Sequence, residues 1–273
     1  MKLKKIIKNN LSQIFAITEK NIKLRLRFKA QILISYLTPI ISLIMPLIVM
    51  RKFFEFNSKF GPWNGTNVMV FYFLGYNIML LQRLIGEFPN QFRDEKYWKT
   101  LPAIIIAPFN RFNLLLGIFF SHLALISIPC IFFFVLCYIF YPISIITFLC
   151  VIIIYFLVTL VISGIGLVMS VFLISKENYY YFSLFVLNLI FWLSCITYPF
   201  EIFPDSVQNL INLNPLYYIF DFLKLAWIEN DIYMSITSHY THFLILILLA
   251  ISFPSIGVYL FNLIFKKYGI VGY

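Results

Sequence analysis

The chain has 273 residues, 62% hydrophobic and only 12% charged, with a formal net charge of +10 and a mean hydropathy of +0.90. A soluble domain is about half apolar and about a quarter charged, so a water-soluble fold around one core is excluded. A bilayer can serve as the buried phase instead. The apolar runs are continuous over about 20 residues or more, whereas barrel strands would alternate apolar and polar. Helices satisfy their own backbone groups in hydrocarbon, so the expectation is an all-α membrane protein, a single transmembrane domain of six spans.

Residues 1–30 carry nine Lys and Arg and one acid, Glu19. Leu3, Ile6, Ile7, Leu11, Ile14 and Phe15 recur at helical spacing with lysines between them. That pattern predicts an N-terminal amphipathic helix lying on an anionic inner leaflet. From Ile22 to Lys29 apolar and basic residues alternate as in a strand. A lone strand beside a bilayer has no partner for its ladder, so a helix is expected there too. The long basic stretch and the full-length apolar run after it do not read as a signal peptide.

Spans are predicted at about 31–50, 67–86, 112–140, 143–175, 178–198 and 242–265. Pro39 and Pro46 predict kinks in the first. Residues 112–175 contain no Asp, Glu, Lys or Arg. They are too long for one crossing, and Tyr141-Pro142 is the turn signal that divides them. Gly164 and Gly166 read as a flexible point in the fourth span. Pro199, Pro204 and Pro215 cut residues 199–228 into pieces too short to cross. Pro204-Asp205 starts one helix, with proline at the first position and an acid in the first turn. Asn214-Pro215 ends it, and a second amphipathic piece covers about 216–227. Both are read as short re-entrant helices at the outer interface.

Basic residues near span ends set orientation. With the N-terminus inside, 17 of the 21 Lys and Arg fall on the cytoplasmic side, leaving Arg51, Lys52, Lys59 and Lys224 outside. Both termini are therefore expected in the cytoplasm, with the protein in the plasma membrane. The membrane accounts for the basic charge, so no nucleic-acid partner is expected.

The spans are nearly free of ionisable groups. Arg83 and Glu87 sit at the inner end of the second, and His122 is the one titratable group well inside a span. His122 reads as a neutral histidine hydrogen-bonded between helices. His239 and His242 stand at i, i+3 but show no carboxylate or thiolate beside them in sequence, so no metal site is assigned. Cys130, Cys137, Cys150 and Cys195 lie in apolar runs and read as small buried hydrophobes. There is no P-loop, no nucleophile elbow and no zinc-protease helix. No catalytic residue is assigned and no cofactor is expected in this chain. Energy for uphill transport would come from another subunit.

Two stretches carry a family resemblance. Residues 93–117 run from Arg93-Asp94-Glu95 through Thr100-Leu101 and Pro108-Phe109-Asn110-Arg111 to Gly117. They resemble the segment between spans 2 and 3 of type-2 ABC exporter permeases, with Thr100, Leu101, Ile104, Ile105, Pro108, Arg111 and Gly117 matching. Lys99 stands where that family usually has glycine, and Pro102 where it has glutamate. Tyr198-Pro199, Phe203-Pro204 and Leu213-Asn214-Pro215-Leu216 are similar to the family's signature between spans 5 and 6.

The resemblance implies a dimer of permease protomers, homodimeric or heterodimeric, each with a separate cytoplasmic ABC ATPase that holds ATP and Mg. It implies a cytoplasmic coupling helix over about 92–108, with Arg93, Glu95, Thr100, Leu101, Pro108 and Arg111 meeting the ATPase. It implies outer short helices, marked by Pro199, Pro204, Asn214 and Pro215, that cap the exit path of an amphiphilic, glycan or drug-like substrate. Two other readings stand beside it. One is a membrane-embedded transferase acting on a lipid-linked substrate, with Glu201, Asp205 and Asp221 as its candidate acids. The other is a channel or scaffold without energy coupling.

Overall fold

A computed structural model describes residues 2–56, 59–100, 110–175 and 177–268. Helix α1 (Lys2–Leu26) ends with Lys23 and Arg25 in its last turn, where cations suit the helix dipole. The strand-like alternation near its end is helical through Leu26. A short turn leads into α2 (Lys29–Phe56), which is continuous through Pro39 and Pro46. The polar loop expected next contains a minimal antiparallel hairpin, β1 (Lys59–Phe60) and β2 (Trp63–Asn64), which turns at Gly61 with φ of 58°. Only glycine takes that conformation readily.

Helix α3 (Val68–Gln82) passes into α4 (Leu84–Tyr97) with one irregular residue, Arg83, between them. Then come α5 (Arg111–Phe140), α6 (Ile145–Ser175) and α7 (Glu177–Trp192), and the Tyr141-Pro142 turn separates α5 from α6 as expected. A 3₁₀ turn (Phe200–Ile202) precedes three short helices, α8 (Asp205–Ile211), α9 (Pro215–Ile228) and α10 (Ile232–Ser238), and α11 (Tyr240–Tyr268) closes the bundle. The sequence reading contained α8 and α9 but not α10.

Among the described residues, five stretches are long and apolar enough to cross a membrane: Lys29–Phe54, Val68–Tyr97, Arg111–Phe140, Ile145–Ser175 and Tyr240–Ile264. The segment read as the fifth span, α7, has only 16 helical residues. At about 1.5 Å per residue it reaches about 24 Å, short of a hydrocarbon core about 30 Å thick. The second stretch is longer than the reading, because residues 87–97 continue the span as helix. Residues 92–97, assigned above to the start of a coupling helix, are thus the last turns of α4.

Helix α6 lies at the centre, against α3, α4, α7, α9 and α11. Its glycines are points of contact, which corrects the expectation of flexibility. A Cβ on Gly164 would lie 2.5 Å from the Pro254 nitrogen, and one on Gly166 would lie 2.9 Å from the Leu84 carbonyl oxygen. Gly257 of α11 answers from the other side, 3.1 Å from the Gly164 carbonyl oxygen by the same measure. In lipid no hydrophobic force drives helices together, so close backbone approach at small residues supplies the packing energy. Cys130, Cys137 and Cys195 are buried, as read, whereas Cys150 is only partly buried. Outside this core, α2 and α7 present wide apolar faces, including Ile41, Met45, Phe182 and Phe185.

Candidate functional site

Polar side-chain contacts gather at two ends of the bundle. At the first, α1 lies across the start of α5. Asn113 donates from Nδ2 to Asn10 Oδ1 at 3.0 Å and Gln13 Oε1 at 2.7 Å. Thr18 Oγ1 donates to the Gly117 carbonyl at 3.2 Å, and a Cβ on Gly117 would meet Ile17 at 2.6 Å. Gly117 is therefore where α1 seats on α5. The other side of α1 exposes Ile7, Leu11 and Phe15, the apolar edge that an interfacial helix needs.

Beside α1, α4 ends in a tight reversal. The Lys99 N–H donates to the Lys96 carbonyl and the Thr100 N–H to the Glu95 carbonyl, while Lys99 itself has φ of 57°. This pair of bonds with a left-handed residue is the Schellman ending. It gives a physical reason for glycine at the position that Lys99 holds. Arg93, Lys96, Tyr97, Trp98, Lys99 and Thr100 are exposed around this tip.

Glu95 behaves differently from the contact residue expected. It is 5% exposed. Its carboxylate accepts from Lys20 Nζ of α1 at 3.2 Å, from Gln91 Nε2 at 3.3 Å, and from the Thr100 hydroxyl. Glu95 fixes the tip of α4 to α1. Arg111 opens α5 just after Asn110, whose side chain caps that helix by accepting from Phe112 N at 3.0 Å. Leu101 and Pro108, and with them the rest of the expected coupling helix, lie outside the described residues.

Slightly deeper, Arg25 of α1 pairs with Glu87 of α4, and His122 Nδ1 lies 3.8 Å from the same carboxylate. His122 is buried as read, but its Nε2 has no hydrogen-bond partner among the described residues. A cavity of about 380 Å³ opens here between α2, the α3–α4 junction and α7. A smaller one of about 80 Å³ shares Gln31, Ser35, Arg83 and Glu87 with it and reaches His122.

At the opposite end, Pro204 precedes α8, and Pro215 takes the first position of α9. Asn214 ties this end together. Its Oδ1 accepts from Leu216 N at 3.0 Å, while its Nδ2 donates to the Ile190 carbonyl at 2.7 Å and the Leu193 carbonyl at 3.0 Å at the end of α7. Pro199 leads into the 3₁₀ turn. Pro199, Pro204, Asn214 and Pro215 stand on one stretch of chain, with Asn214 bridging it to α7.

That reading treated Lys224 as an outer-facing basic residue, and the structure corrects it. Lys224 is 1% exposed and points inward. Its Nζ donates to the carbonyls of Cys195 at 2.8 Å and Ile196 at 3.2 Å, and lies 3.5 Å from the centre of the Phe71 ring of α3. Asp221 stands one turn earlier on α9, with a side chain 19% exposed, so it is not a solvated helix-end charge. Burial pushes its carboxyl up and the Lys224 ammonium down, and the attraction between the two charges opposes both shifts.

Asp221 Oδ2 lies 3.5 Å from His242 Nδ1, and Glu229 Oε1 lies 2.9 Å from His239 Nε2. Both histidines thus have a carboxylate neighbour that linear spacing did not reveal. Even so, no group of three ligands suited to a metal occurs among the described residues. The available signal was Asp221 and Lys224 at i, i+3 in an otherwise apolar helix.

A buried polar staple stands at one end, a helix tip held against a basic amphipathic helix at the other, and long apolar stretches lie between them. The family model for ABC-2 type transporters matches residues 12–226, and the chain belongs to that family. It is a membrane permease component of an ABC transporter, a class that pairs with an ATPase subunit. No curated protein matches the chain.

Proposed function

We propose that this chain is the permease of an ATP-driven exporter, carrying an amphiphilic, glycan or drug-like substrate outward across the plasma membrane. In this reading α7 is a sixth, thinner crossing, completed by the turn after Trp192, and both termini face the cytoplasm. The α1 end is then the cytoplasmic end, and α8 and α9 are re-entrant helices at the outer exit. A second permease protomer and lipid share the apolar faces of α2 and α7. The cytoplasmic ATPase docks on the tip of α4 and the segment up to Arg111, with ATP and Mg bound in that subunit.

The observation that carries this reading is the exposed, basic and aromatic tip of α4. It is one helical run with a membrane stretch, Val68–Tyr97, and it is latched to α1 through Glu95. A push at Arg93 or Trp98 moves the span directly. Glu95 and Thr100 act in the latch, and Arg93 is the contact residue.

The test is to purify the chain together with an ABC ATPase subunit and measure ATP hydrolysis in lipid. Arg93→Glu is expected to leave the α4 fold intact and to lower hydrolysis stimulated by the permease severalfold. Failure to form a complex, or wild-type stimulation in Arg93→Glu, would overturn the docking assignment. Turnover of a lipid-linked donor by the chain alone would favour the transferase reading instead.

A further inference from the structure

The cavity at the α1 end is lined by two guanidinium groups, Arg25 and Arg83, and, among the described residues, by one carboxylate, Glu87. Arg25 pairs with Glu87, whose charge also acts on Arg83, so the lining keeps one cation in excess. Arg83, at the irregular residue between α3 and α4, lines both compartments, and its guanidinium makes no hydrogen bond or ion pair among the described residues. Six further polar side chains line the larger compartment, Thr38, Gln82 and Asn90 among them. Gln31 and Ser35 come from α2, and Asn188 from α7, where Asn188 sits 3.5 Å from Gln82. The smaller compartment adds His122, buried to 4% exposure, with Nε2 lacking a partner. Beyond this polar ring the wall turns apolar, through Ile34, Leu184, Leu187 and Phe191.

A half-buried cation is costly next to lipid and persists where something compensates it. An anion held by Arg83 and the surrounding amides would do so, with its apolar tail running along the leucines. Guanidinium suits oxyanions because its donors form a planar fork that matches carboxylate and phosphate.

We propose that this cavity binds the anionic head, a phosphoryl or carboxylate group, of an amphiphile, with Arg83 as its principal contact. The proposal rests on the exporter reading for the identity of that amphiphile as cargo, but not for its binding. A bilayer phospholipid presents the same chemistry, and the two sources are separated below.

Binding is measured on the purified full chain in nanodiscs of zwitterionic lipid, with dodecyl phosphate as the probe and dodecyl maltoside as its uncharged counterpart. The phosphate is expected to bind more tightly than the maltoside. Arg83→Gln is expected to weaken the phosphate on the order of tenfold and leave the maltoside unchanged, since a charge-assisted hydrogen bond is lost. Arg83→Lys keeps part of the preference. Asn188→Asp stands at an exposed position and leaves Arg83 in place, so it tests the same field if Arg83→Gln fails to fold. It too is expected to weaken the phosphate severalfold. Equal binding of phosphate and maltoside, or wild-type phosphate binding in both Arg83→Gln and Asn188→Asp, would overturn the proposal.

A second arm uses the complex with its ATPase. Dodecyl phosphate that accelerates hydrolysis in wild type but not in Arg83→Gln identifies the head as cargo. Binding with no acceleration identifies a resident phospholipid, and both outcomes keep the anionic site. Absence of an ATPase complex would count against the exporter reading and leave the binding result standing.

Discussion

Replacing Lys224 by methionine tests whether the buried ammonium holds the far end together. The side chain keeps nearly its volume, so no large cavity opens and the change is electrostatic. Two carbonyls, those of Cys195 and Ile196, lose their donor. Each buried acceptor left unmatched costs about 1–3 kcal/mol. The contact of the ammonium with the Phe71 ring, at 3.5 Å, is also lost, and such contacts contribute up to about 2 kcal/mol when desolvated. Against this, the protein no longer desolvates an ammonium, which returns several kcal/mol. Asp221 tips the balance, because it remains buried without its counter-charge. Asp221 and Lys224 act on each other through space without a direct ion pair, so we expect a net loss below about 3–5 kcal/mol, the cost of breaking a buried pair.

The assay is thermal unfolding of the purified chain in nanodiscs, together with maleimide labelling of Cys195 in a background where Cys130, Cys137 and Cys150 are alanine. Lys224→Met should lower Tm and speed labelling of Cys195, which is 7% exposed in the native fold. Adding Asp221→Asn should recover much of the loss, since neighbouring charges are coupled and not additive. Wild-type Tm and wild-type protection of Cys195 in Lys224→Met would refute the reasoning. So would a double variant whose losses simply add.

Two further predictions concern packing and the latch. Gly164→Val should abolish the contact of α6 with α11, because its Cβ alone would sit 2.5 Å from backbone; the expected result is loss of monodisperse protein, and a well-folded variant would argue against the helix approach described. At the latch, Lys20 is 55% exposed and Glu95 only 6% by side chain. Exposed ion pairs contribute under about 1 kcal/mol, so Lys20→Met should change Tm little. Glu95→Ala strands the Gln91 and Thr100 donors and should cost clearly more; equal effects in unfolding scans would show that the carboxylate is not the hub.

Long-range order in this molecule was legible where it rests on solvent. Apolar length gave three of the spans, 112–140, 143–175 and 242–265, to within two residues at each end, because hydrocarbon requires intrasegment hydrogen bonds. Pro204 and Asn214-Pro215 marked the short helices, because proline at a first turn and asparagine at a cap act locally. What the sequence hid is what depends on distant partners. Gly164 and Gly166 look flexible in isolation and become rigid once Pro254 and Leu84 press against them. Lys224 counts as an outer charge until Cys195 and Ile196 turn their carbonyls toward it. Glu95 looks like a surface acid until Lys20, Gln91 and Thr100 converge on it from 75, 4 and 5 residues away. Arg83 was read at the end of a span, yet it lies inside the Val68–Tyr97 stretch, and the cavity around it is made by α2 and α7, which no local pattern joins.

These hidden contacts share one element. The α3–α4 run meets Lys224 through Phe71 at one end and Lys20 through Glu95 at the other, a separation of about 36 Å along a helix. Between them Tyr72 donates to the Thr197 carbonyl at 3.2 Å, and Gly75 lies with its Cβ position 3.1 Å from the Ile196 carbonyl oxygen. The far end is therefore gripped over more than one turn of α3, so it cannot shift independently of that helix. Arg83 is the single irregular residue on the path, and the bonds from Arg83 N to Leu80 O and from Gly86 N to Arg83 O carry the chain across it. A displacement applied at the α4 tip has two routes: bending at Arg83, which reshapes the cavity there, or rigid transmission to the Lys224 staple. Both routes end on charged groups that the apolar spans would otherwise exclude, which is a physical reason for their presence in so apolar a chain.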